Sequence, residues 1–180
     1  MVKPTEIFDV KIIEPRVFGD DRGFFYETFN LNSLKAEGID FTPCQENCAF
    51  SLKKGTIRGL HFQNNPKAQA KIVRCTSGKV MDYAIDLRKD SPTFLKFVKV
   101  ELTAKNKRQL YIPRGFAHGV ISLEDNTMIE YFADNFYSPE NDRSIRYNDP
   151  DIAIDWGTDE LILSDKDKNA PLYCDVDCNF

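Results

Sequence analysis

The sequence predicts an all-β domain, folded as a sandwich or a barrel, with a few short helices. Turn-forming clusters of Gly, Pro, Asn, Asp and Ser recur about every 9 to 15 residues along most of the chain. The segments between these turns alternate apolar and polar residues, as half-buried strands do. Helical periodicity is scarce, and many short, regularly spaced strands are typical of antiparallel sandwiches and barrels.

Individual segments support this fold class in chain order. Residues 32–38 begin with Asn as a cap and end with Gly as a stop, which predicts one short helix. Residues 79–87 carry apolar side chains on both faces, as expected of a strand between two sheets. Asp82 lies on one of those faces and is either a solvent-facing acid or an inward-facing one. Residues 98–102 alternate strictly, and the Asp-rich last third can contain a further short helical piece.

Composition and charge exclude two classes of protein. Apolar residues make up 42% of the 180 residues and aromatic residues 12%, which suits one domain over residues 1–180 and excludes a disordered chain. Lys and Arg total 24 against 28 for Asp and Glu, and the charges are interspersed. Because nucleic-acid binding needs a basic face, we expect no nucleic-acid partner.

The chain ends and the cysteines indicate a compartment. No segment approaches the ~18 apolar residues of a membrane span, and the first residues lack the apolar core of a signal peptide. The five cysteines are an odd number without a CxxC pair, which favours free thiols in a reducing environment. We therefore expect a cytoplasmic protein with no membrane partner.

The chain has only two histidines, His61 and His118, which lie 57 positions apart. Metal-dependent small β-barrels gather two or three histidines and a carboxylate, with a paired HxH as the nucleus. Neither HxH nor HxxxH occurs, so metal catalysis is not expected. For each histidine, a packed structural role is the alternative to a chemical one.

The remaining chemistry is proton transfer without a metal. A neutral imidazole can act as a general base near neutral pH, because its ordinary pKa is about 6.5. Such a base needs an orienting carboxylate, and ionising a carbon acid also needs a cation near the developing enolate. The acids of residues 79–87 and 164–167 are candidates for the carboxylate, Lys71 for the cation and any of seven tyrosines for an acid. Spacing alone does not choose among them.

Nine motifs resemble, in order and spacing, those of the dTDP-4-dehydrorhamnose 3,5-epimerase family, over roughly residues 8–171. They are GDDRGFFYE (19–27), RGLHFQ (58–63), KIVR (71–74), DYAIDLR (82–88), SPTF (91–94), NKRQLYIP (106–113), GFAHG (115–119), YSPE (137–140) and NDPDIAIDW (148–156). Each motif is weak alone, and their common register makes the resemblance specific. It implies a cupin-type double-stranded β-helix, or jelly roll, built as a homodimer without metal or cofactor.

The resemblance also implies the catalytic set. The base is the histidine of RGLH, His61, and its orienting carboxylate is Asp167 of the LSDKD segment (163–167). The acid is Tyr131, six positions before the YSP segment, and the lysine facing the enolate is Lys71. The implied reaction is inversion at C3, C5 or both in a nucleotide-linked, dTDP-type 4-keto-6-deoxyhexose.

Further positions match substrate contacts of the family. They are Gln45, Asn47 and Arg58 as binding residues, Asp82 as an inward-facing aspartate, His118 near the sugar, Tyr111 as aromatic pocket surface, and Arg22, Phe25 and Glu27 as nucleotide contacts from the partner chain. The chain departs from the family at four positions. Arg114 stands where Glu is common, Ala70 where Gly is usual, Phe132 where Lys is common, and Phe136 in the first place of a Tyr-Tyr pair.

Two other classes of function compete with an epimerase. A related cupin 3,4-ketoisomerase would move the ketone, but those chains usually lack the LSDKD region. A sugar-binding cupin without catalysis would need a pocket only, whereas this chain retains His61, Tyr131 and Asp167 together.

Overall fold

A computed structural model describes all 180 residues. Its strands are β1 (Val2–Pro4), β2 (Lys11–Ile13), β3 (Val17–Asp20), β4 (Gly23–Tyr26), β5 (Gln45–Ser51), β6 (Ile57–Gln63), β7 (Lys71–Ser77), β8 (Lys79–Asp86), β9 (Phe97–Thr103), β10 (Gln109–Ile112), β11 (Phe116–Ser122), β12 (Thr127–Ala133) and β13 (Asp142–Ser144). The helices are α1 (Leu31–Ala36), α2 (Asp165–Lys168) and a 3-10 turn at Tyr173–Asp175. The all-β prediction is confirmed.

The strands form two large antiparallel sheets and one separate hairpin. The six-stranded sheet has the order β1-β2-β10-β7-β12-β5, and the five-stranded sheet has the order β13-β6-β11-β8-β9. Strands β3 and β4 pair only with each other. The main apolar core lies between the two large sheets, because it takes Val73 and Leu110 from one and Val98 and Val120 from the other.

Strand β8 is buried on both faces, as its sequence predicts. Val80 and Ala84 pack in the core between the sheets. Tyr83 and Ile85 pack on the opposite side, in a second cluster that includes Trp156. The second layer is thus the C-terminal segment and not another sheet, which corrects that part of the prediction.

The predicted first helix forms, but it begins earlier than its pattern indicates. Asn30 and not Asn32 is the cap, and its side chain accepts hydrogen bonds from the backbone N–H groups of Asn32 and Ser33. Asn30 has extended backbone angles, which turn its side chain toward the first helical turn. In the C-terminal third, Ser164 caps α2 in the same way and confirms the expected helical piece.

A close backbone contact between β6 and β11 sets the direction of the side chains on β6. A Cβ atom on Gly59 would lie 2.6 Å from the Cα atom of Gly119, and Gly59 has a φ of +128°, so only glycine fits. The pairing of the two strands shifts at this point: His118 lies opposite His61, but Val120 lies opposite Arg58. Directly paired residues share a face, so the shift turns both Arg58 and His61 toward the space between the sheets.

The end of β8 is held by a buried carboxylate. Asp86 has no exposed surface and accepts hydrogen bonds from the guanidinium of Arg88 and from the hydroxyls of Ser91 and Thr93. Burial alone would raise the pKa of Asp86, but these hydrogen bonds bring it down to about 2. The ionised carboxylate therefore fastens the connection between β8 and β9.

We expect Asp86→Asn to lower the free energy of unfolding by about 2 kcal/mol at pH 7, because the charged acceptor of hydrogen bonds from three side chains is lost. The folded pKa lies below the ordinary value, so the stabilisation is present above about pH 4 and is lost toward about pH 2. Urea unfolding at pH 7 and pH 3 measures it, and the difference from wild type should shrink at pH 3. Asp125→Asn, at an exposed turn, should have a much smaller effect at pH 7. Equal losses from both variants would contradict the special role of Asp86.

Candidate active site

The two large sheets bring most of the predicted site residues to one end of the space between them. The five-stranded sheet supplies His61 from β6, His118 from β11 and Asp82 from β8. The six-stranded sheet faces them with Lys71 from β7 and Tyr131 from β12. The rings of His118 and Tyr131 are 6.4 Å apart between centroids, and Nζ of Lys71 is 5.6 Å from the Tyr131 ring centroid. Groups drawn from residues 61 to 131 of the chain thus lie close together between the sheets.

His61 and Asp167 form a hydrogen-bonded pair. Nε2 of His61 lies 2.6 Å from Oδ1 of Asp167, which sits in α2. Burial opposes ionisation of Asp167, but the hydrogen bond and charge of His61 and the hydroxyl of Ser164 lower its pKa overall. An ionised carboxylate at this distance accepts the Nε2 proton, so Nδ1 is the nitrogen free to take a proton. The geometry is that of an oriented general base.

His118 forms a second pair with Asp82. Nε2 of His118 lies 3.0 and 3.1 Å from the two carboxylate oxygens of Asp82, and Asp82 has no exposed surface. The solvent-facing alternative for Asp82 is therefore wrong. Burial raises the pKa of this carboxyl, against the charges of His118 and Lys71. His118 is paired to a carboxylate and not simply packed in the core.

Lys71 is a partly buried cation close to the Tyr131 ring, and the charges of Asp82 and Asp142 act on it. It starts β7 and faces inward with Val73, because both lie on the same side of the strand. Burial lowers the pKa of Lys71 to about 8, against the charges of Asp142 and Asp82. The ammonium form therefore still predominates at neutral pH, and it is only weakly neutralised by direct partners. Such a group can hold a developing oxyanion.

Tyr131 is oriented inward by the alternation of β12. Its neighbour Glu130 accepts hydrogen bonds from Arg74 on the outer face of the sheet, and Phe132 packs in an outer cluster with Phe29. The predicted orientation of Tyr131, opposite to both neighbours, is confirmed. Burial and the charge of Asp142 raise its pKa, and Arg58 opposes them. Tyr131 is thus a protonated phenol at neutral pH.

The predicted binding residues Gln45, Asn47 and Arg58 lie at the edge of this group of side chains, on β5 and β6. We call this edge the rim of the site. Asn47 pairs with Tyr131 across β5 and β12 and so faces the same side. Nε2 of Gln45 donates to Oδ1 of Asn47 at 3.0 Å, and its Oε1 accepts from the backbone N–H of Tyr137. Arg58 donates to the carbonyl of Phe50 at 2.6 Å. Gln45 therefore also holds the loop that follows β12.

Three further residues complete the rim, and the sequence did not reveal their roles. Nζ of Lys166 lies 2.7 Å from Oδ2 of Asp142, and the hydroxyl of Tyr137 lies 3.4 Å from the same oxygen. Asp142 is also the charge that acts on both Lys71 and Tyr131. Lys166 and Tyr137 fall within quoted motifs, which was the available signal. Asp142 lies on a three-residue strand too short for a readable pattern.

The structure corrects the placement of Tyr111. This side chain packs against Phe41 and Ile72 in a cluster on the outer face of the six-stranded sheet. The reason is the register of β10, whose Leu110 and Ile112 point into the main core. Tyr111 therefore does not form a wall of the cavity that contains His61.

The hairpin residues also lie outside this cavity. Phe25 and Glu27 line a crevice of about 380 Å³ on the outer face, next to α1. Arg22 is exposed and pairs with Asp20 of its own hairpin. Within one protomer, none of the three contacts His61 or Lys71. No cluster of three or more His, Cys, Asp or Glu side chains is arranged for a metal, and no helix is long and apolar enough to span a membrane.

Comparison with known proteins identifies a matching family and several related sequences. The family model for dTDP-4-dehydrorhamnose 3,5-epimerase matches residues 4–175. The dTDP-4-dehydrorhamnose 3,5-epimerase of Shigella flexneri is 50% identical over 174 residues, which cover 96% of this chain and 96% of that protein. The protein of the same name from Escherichia coli K12 is 52% identical over 166 residues, covering 91% and 89%. The match extends over nearly the whole chain.

Solved structures agree with the sequence relatives. The dTDP-4-dehydrorhamnose 3,5-epimerase of Bacillus anthracis, solved with TDP and pyrophosphate, is 46% identical with a TM-score of 0.93, covering 96% of this chain and 98% of that one. The dTDP-6-deoxy-D-glucose-3,5-epimerase of Legionella pneumophila, in complex with dTDP-4-keto-L-rhamnose, is 42% identical with a TM-score of 0.94, covering 98% and 94%. The two facing sheets are thus the cupin-type jelly roll of these enzymes. From its sequence, its fold and its family match, the chain belongs to the dTDP-4-dehydrorhamnose 3,5-epimerase family.

Proposed function

We propose that residues 1–180 form one catalytic domain that inverts C3 and C5 of a dTDP-linked 4-keto-6-deoxyhexose. The observation that carries this proposal is the opposition of an oriented base and a protonated acid. His61 belongs to the five-stranded sheet and Tyr131 to the six-stranded sheet. A sugar ring held between the sheets would meet a proton acceptor on one face and a proton donor on the other. Removal from one face and return to the opposite face inverts a carbon centre.

The base would act on protons that the C4 carbonyl makes acidic. Nδ1 of His61 takes the C3 or C5 proton. The electron pair of the broken C–H bond forms a C=C bond to C4, and the π electrons of the carbonyl move to O4 to give the enolate. Asp167, 2.6 Å from Nε2, stabilises the imidazolium that results. Asp167 must therefore stay ionised while His61 removes the proton.

The enolate needs a positive group, since imidazole is too weak a base for an unassisted carbon acid. Lys71 supplies a cation with few direct partners of its own. His118, paired with Asp82, stands beside it as a second polar group near the sugar. Electrostatic stabilisation of this type is worth roughly 100-fold to 1000-fold in rate for one donor.

The acid step completes each inversion. Tyr131 donates its phenolic proton to the carbon from the six-stranded side, and the enolate collapses to the ketone. Its raised pKa keeps the phenol protonated before this step. The His61 imidazolium then releases its proton to solvent, and Tyr131 is reprotonated for the next centre.

We further propose a cytoplasmic homodimer in which the β3-β4 hairpin of one protomer reaches the partner's nucleotide site. The hairpin stands apart from both large sheets, and Phe18, Phe24 and Phe25 on it are 51%, 62% and 71% exposed. An isolated two-stranded hairpin is marginally stable, so a partner surface would stabilise it. Arg22 and Glu27 would then bring charge to the nucleotide of the substrate.

We expect His61→Ala to abolish incorporation of solvent deuterium at both C3 and C5, because no other imidazole faces that side of the ring in the same position. Asp167→Asn should lower the exchange rate by about 10³-fold or more, since the ring loses its orienting charge. Proton NMR of the 4-keto sugar product in deuterated water measures both, and it also separates inversion from movement of the ketone.

Asp165→Asn is the matched control for Asp167→Asn, because Asp165 lies in the same helix but is exposed. It should exchange at the wild-type rate. Wild-type exchange in His61→Ala would show that the base is assigned wrongly.

We expect Tyr131→Phe to reduce inversion much more than exchange, because proton removal by His61 does not need the phenol. Deuterium should then return to the starting configuration at the same carbon. Comparing deuterium content with product configuration by NMR tests this. Equal loss of exchange and inversion would place Tyr131 in the proton-removal step instead.

We expect kcat/KM to fall as the pH rises through about 8, because Lys71 of the free enzyme loses its charge there. A lysine with a lowered pKa is cationic below that value, so activity is retained on the acidic side of this limb. Lys71→Arg keeps its charge at high pH and should remove the limb while lowering kcat through altered geometry. If activity still falls above about pH 8 in Lys71→Arg, the fall must be assigned to the titration of another group.

A further inference from the structure

One carboxylate outside the cavity joins three chain segments that lead into it. Asp134 follows β12 directly. Its Oδ1 accepts the backbone N–H of Ala70 at 2.7 Å, and its Oδ2 accepts Nε of Arg114 at 3.0 Å. Its own backbone N–H donates to the carbonyl of Ala70 at 3.2 Å. A single residue thus ties the end of one strand to the start of another and to a turn.

Each of these segments continues into a strand that bears a site residue. Ala70 immediately precedes Lys71, and Asp134 lies three positions after Tyr131. Arg114 lies in the turn before β11, which carries His118. The carboxylate of Asp134 therefore links the backbone next to Lys71 to the end of the strand that carries Tyr131, and it also contacts the side chain of Arg114.

The contact of Asp134 with Ala70 is shielded from water, whereas the side chain of Arg114 is 52% exposed. Its side chain is 11% exposed, and Ala70 is 2% exposed. Removing the acceptor would leave the N–H of Ala70 buried without a partner, which favours a local shift of the backbone. A neighbouring bond, from Nε2 of Gln69 to the carbonyl of Asn135 at 2.7 Å, runs between the same two segments. The segments would loosen at Lys71 without separating entirely.

Arg114 contributes to this arrangement through its charge. A carboxylate at position 114 would repel Asp134. Here the guanidinium satisfies the outer oxygen and leaves the inner oxygen for Ala70. The departure at Arg114 therefore has a structural consequence next to the site.

We propose that Asp134 is a positioning residue for the epimerisation, which holds Lys71 and Tyr131 at their working separation by joining the ends of β7 and β12. This inference rests on the proposed function for its kinetic consequence. Its structural consequence, the position of Lys71, can be measured without substrate.

Lys71 itself reports whether its position has changed. Its lowered pKa comes from burial, and the charges that act on it are those of Asp142 and Asp82. Asp134 is not among these charges, and loss of a negative charge would lower the Lys71 pKa, so a rise of that pKa reports a change in burial or geometry. Release of Lys71 toward water would raise its pKa from about 8 toward the ordinary 10.5.

The experiment compares Asp134→Ala, Asp134→Asn and the control Asp125→Ala. Asn can still accept from Ala70, whereas Ala cannot. Asp125 is matched in its bonds, since it also accepts one backbone N–H and one cationic side chain, but it lies at the turn between β11 and β12. Each variant is assayed for kcat and KM with the 4-keto sugar, and for the Lys71 titration by NMR of lysine labelled with 13C at Cε.

For Asp134→Ala we expect kcat to fall tenfold to roughly 100-fold with KM within about twofold, since small misplacements of reacting groups have effects of this size. The Lys71 pKa should rise in the same variant. Asp134→Asn should keep more than half of the wild-type kcat, and Asp125→Ala should match wild type in both measurements.

Unchanged kcat and an unchanged Lys71 titration in folded Asp134→Ala would overturn the proposal and leave Asp134 a purely stabilising residue. If that variant does not fold, Arg114→Glu, which repels the carboxylate without removing it, should show the same changes in smaller degree, and no change there would overturn the proposal. If wild type shows no epimerisation, the proposed function fails, and the Lys71 titration alone decides whether Asp134 positions Lys71.

Discussion

The close contact between β6 and β11 is the constraint on which the site depends. Because Gly59 has no side chain, the two backbones approach within a distance that a Cβ on Gly59 would prevent. The pairing shifts by one residue there, and Arg58 and His61 both turn inward. Without that shift, strict alternation would send one of them to the other side of the sheet. The proposed base and Arg58 therefore face the same side of the sheet because glycine at position 59 permits this close approach.

Burial then determines the protonation state of each group in that cavity. It raises the pKa of Asp82 and Tyr131 and lowers that of Lys71, because each charged form loses water. Asp167 is the exception, since hydrogen bonds from His61 and Ser164 outweigh the same penalty. One physical effect, opposed to different degrees, therefore yields an ionised Asp167, a cationic Lys71 and a protonated Tyr131 in the same region.

The jelly roll supplies the geometry that inversion requires. Two sheets facing each other can present different groups to the two faces of a bound ring, which one helix or one sheet cannot do. The ends of the strands must then stay in register, and this is the task that we assign to Asp134 together with Arg114. Most of the stabilising core lies deeper between the sheets, so the end that holds the site can be polar.

The sequence by itself determined the strands, the residue types for proton chemistry and the family. Alternation in β8 and β9 was readable because each strand carries its own period of two, and the motifs that contain His61 and Asp167 are contiguous segments. Only the tertiary structure decided that Tyr111 faces outward and that Asp142 acts on Lys71. Those outcomes depend on strand register and on contacts between residues far apart in the chain. Neither leaves a local pattern, because a side chain's partner across a sheet is set by how the whole fold closes.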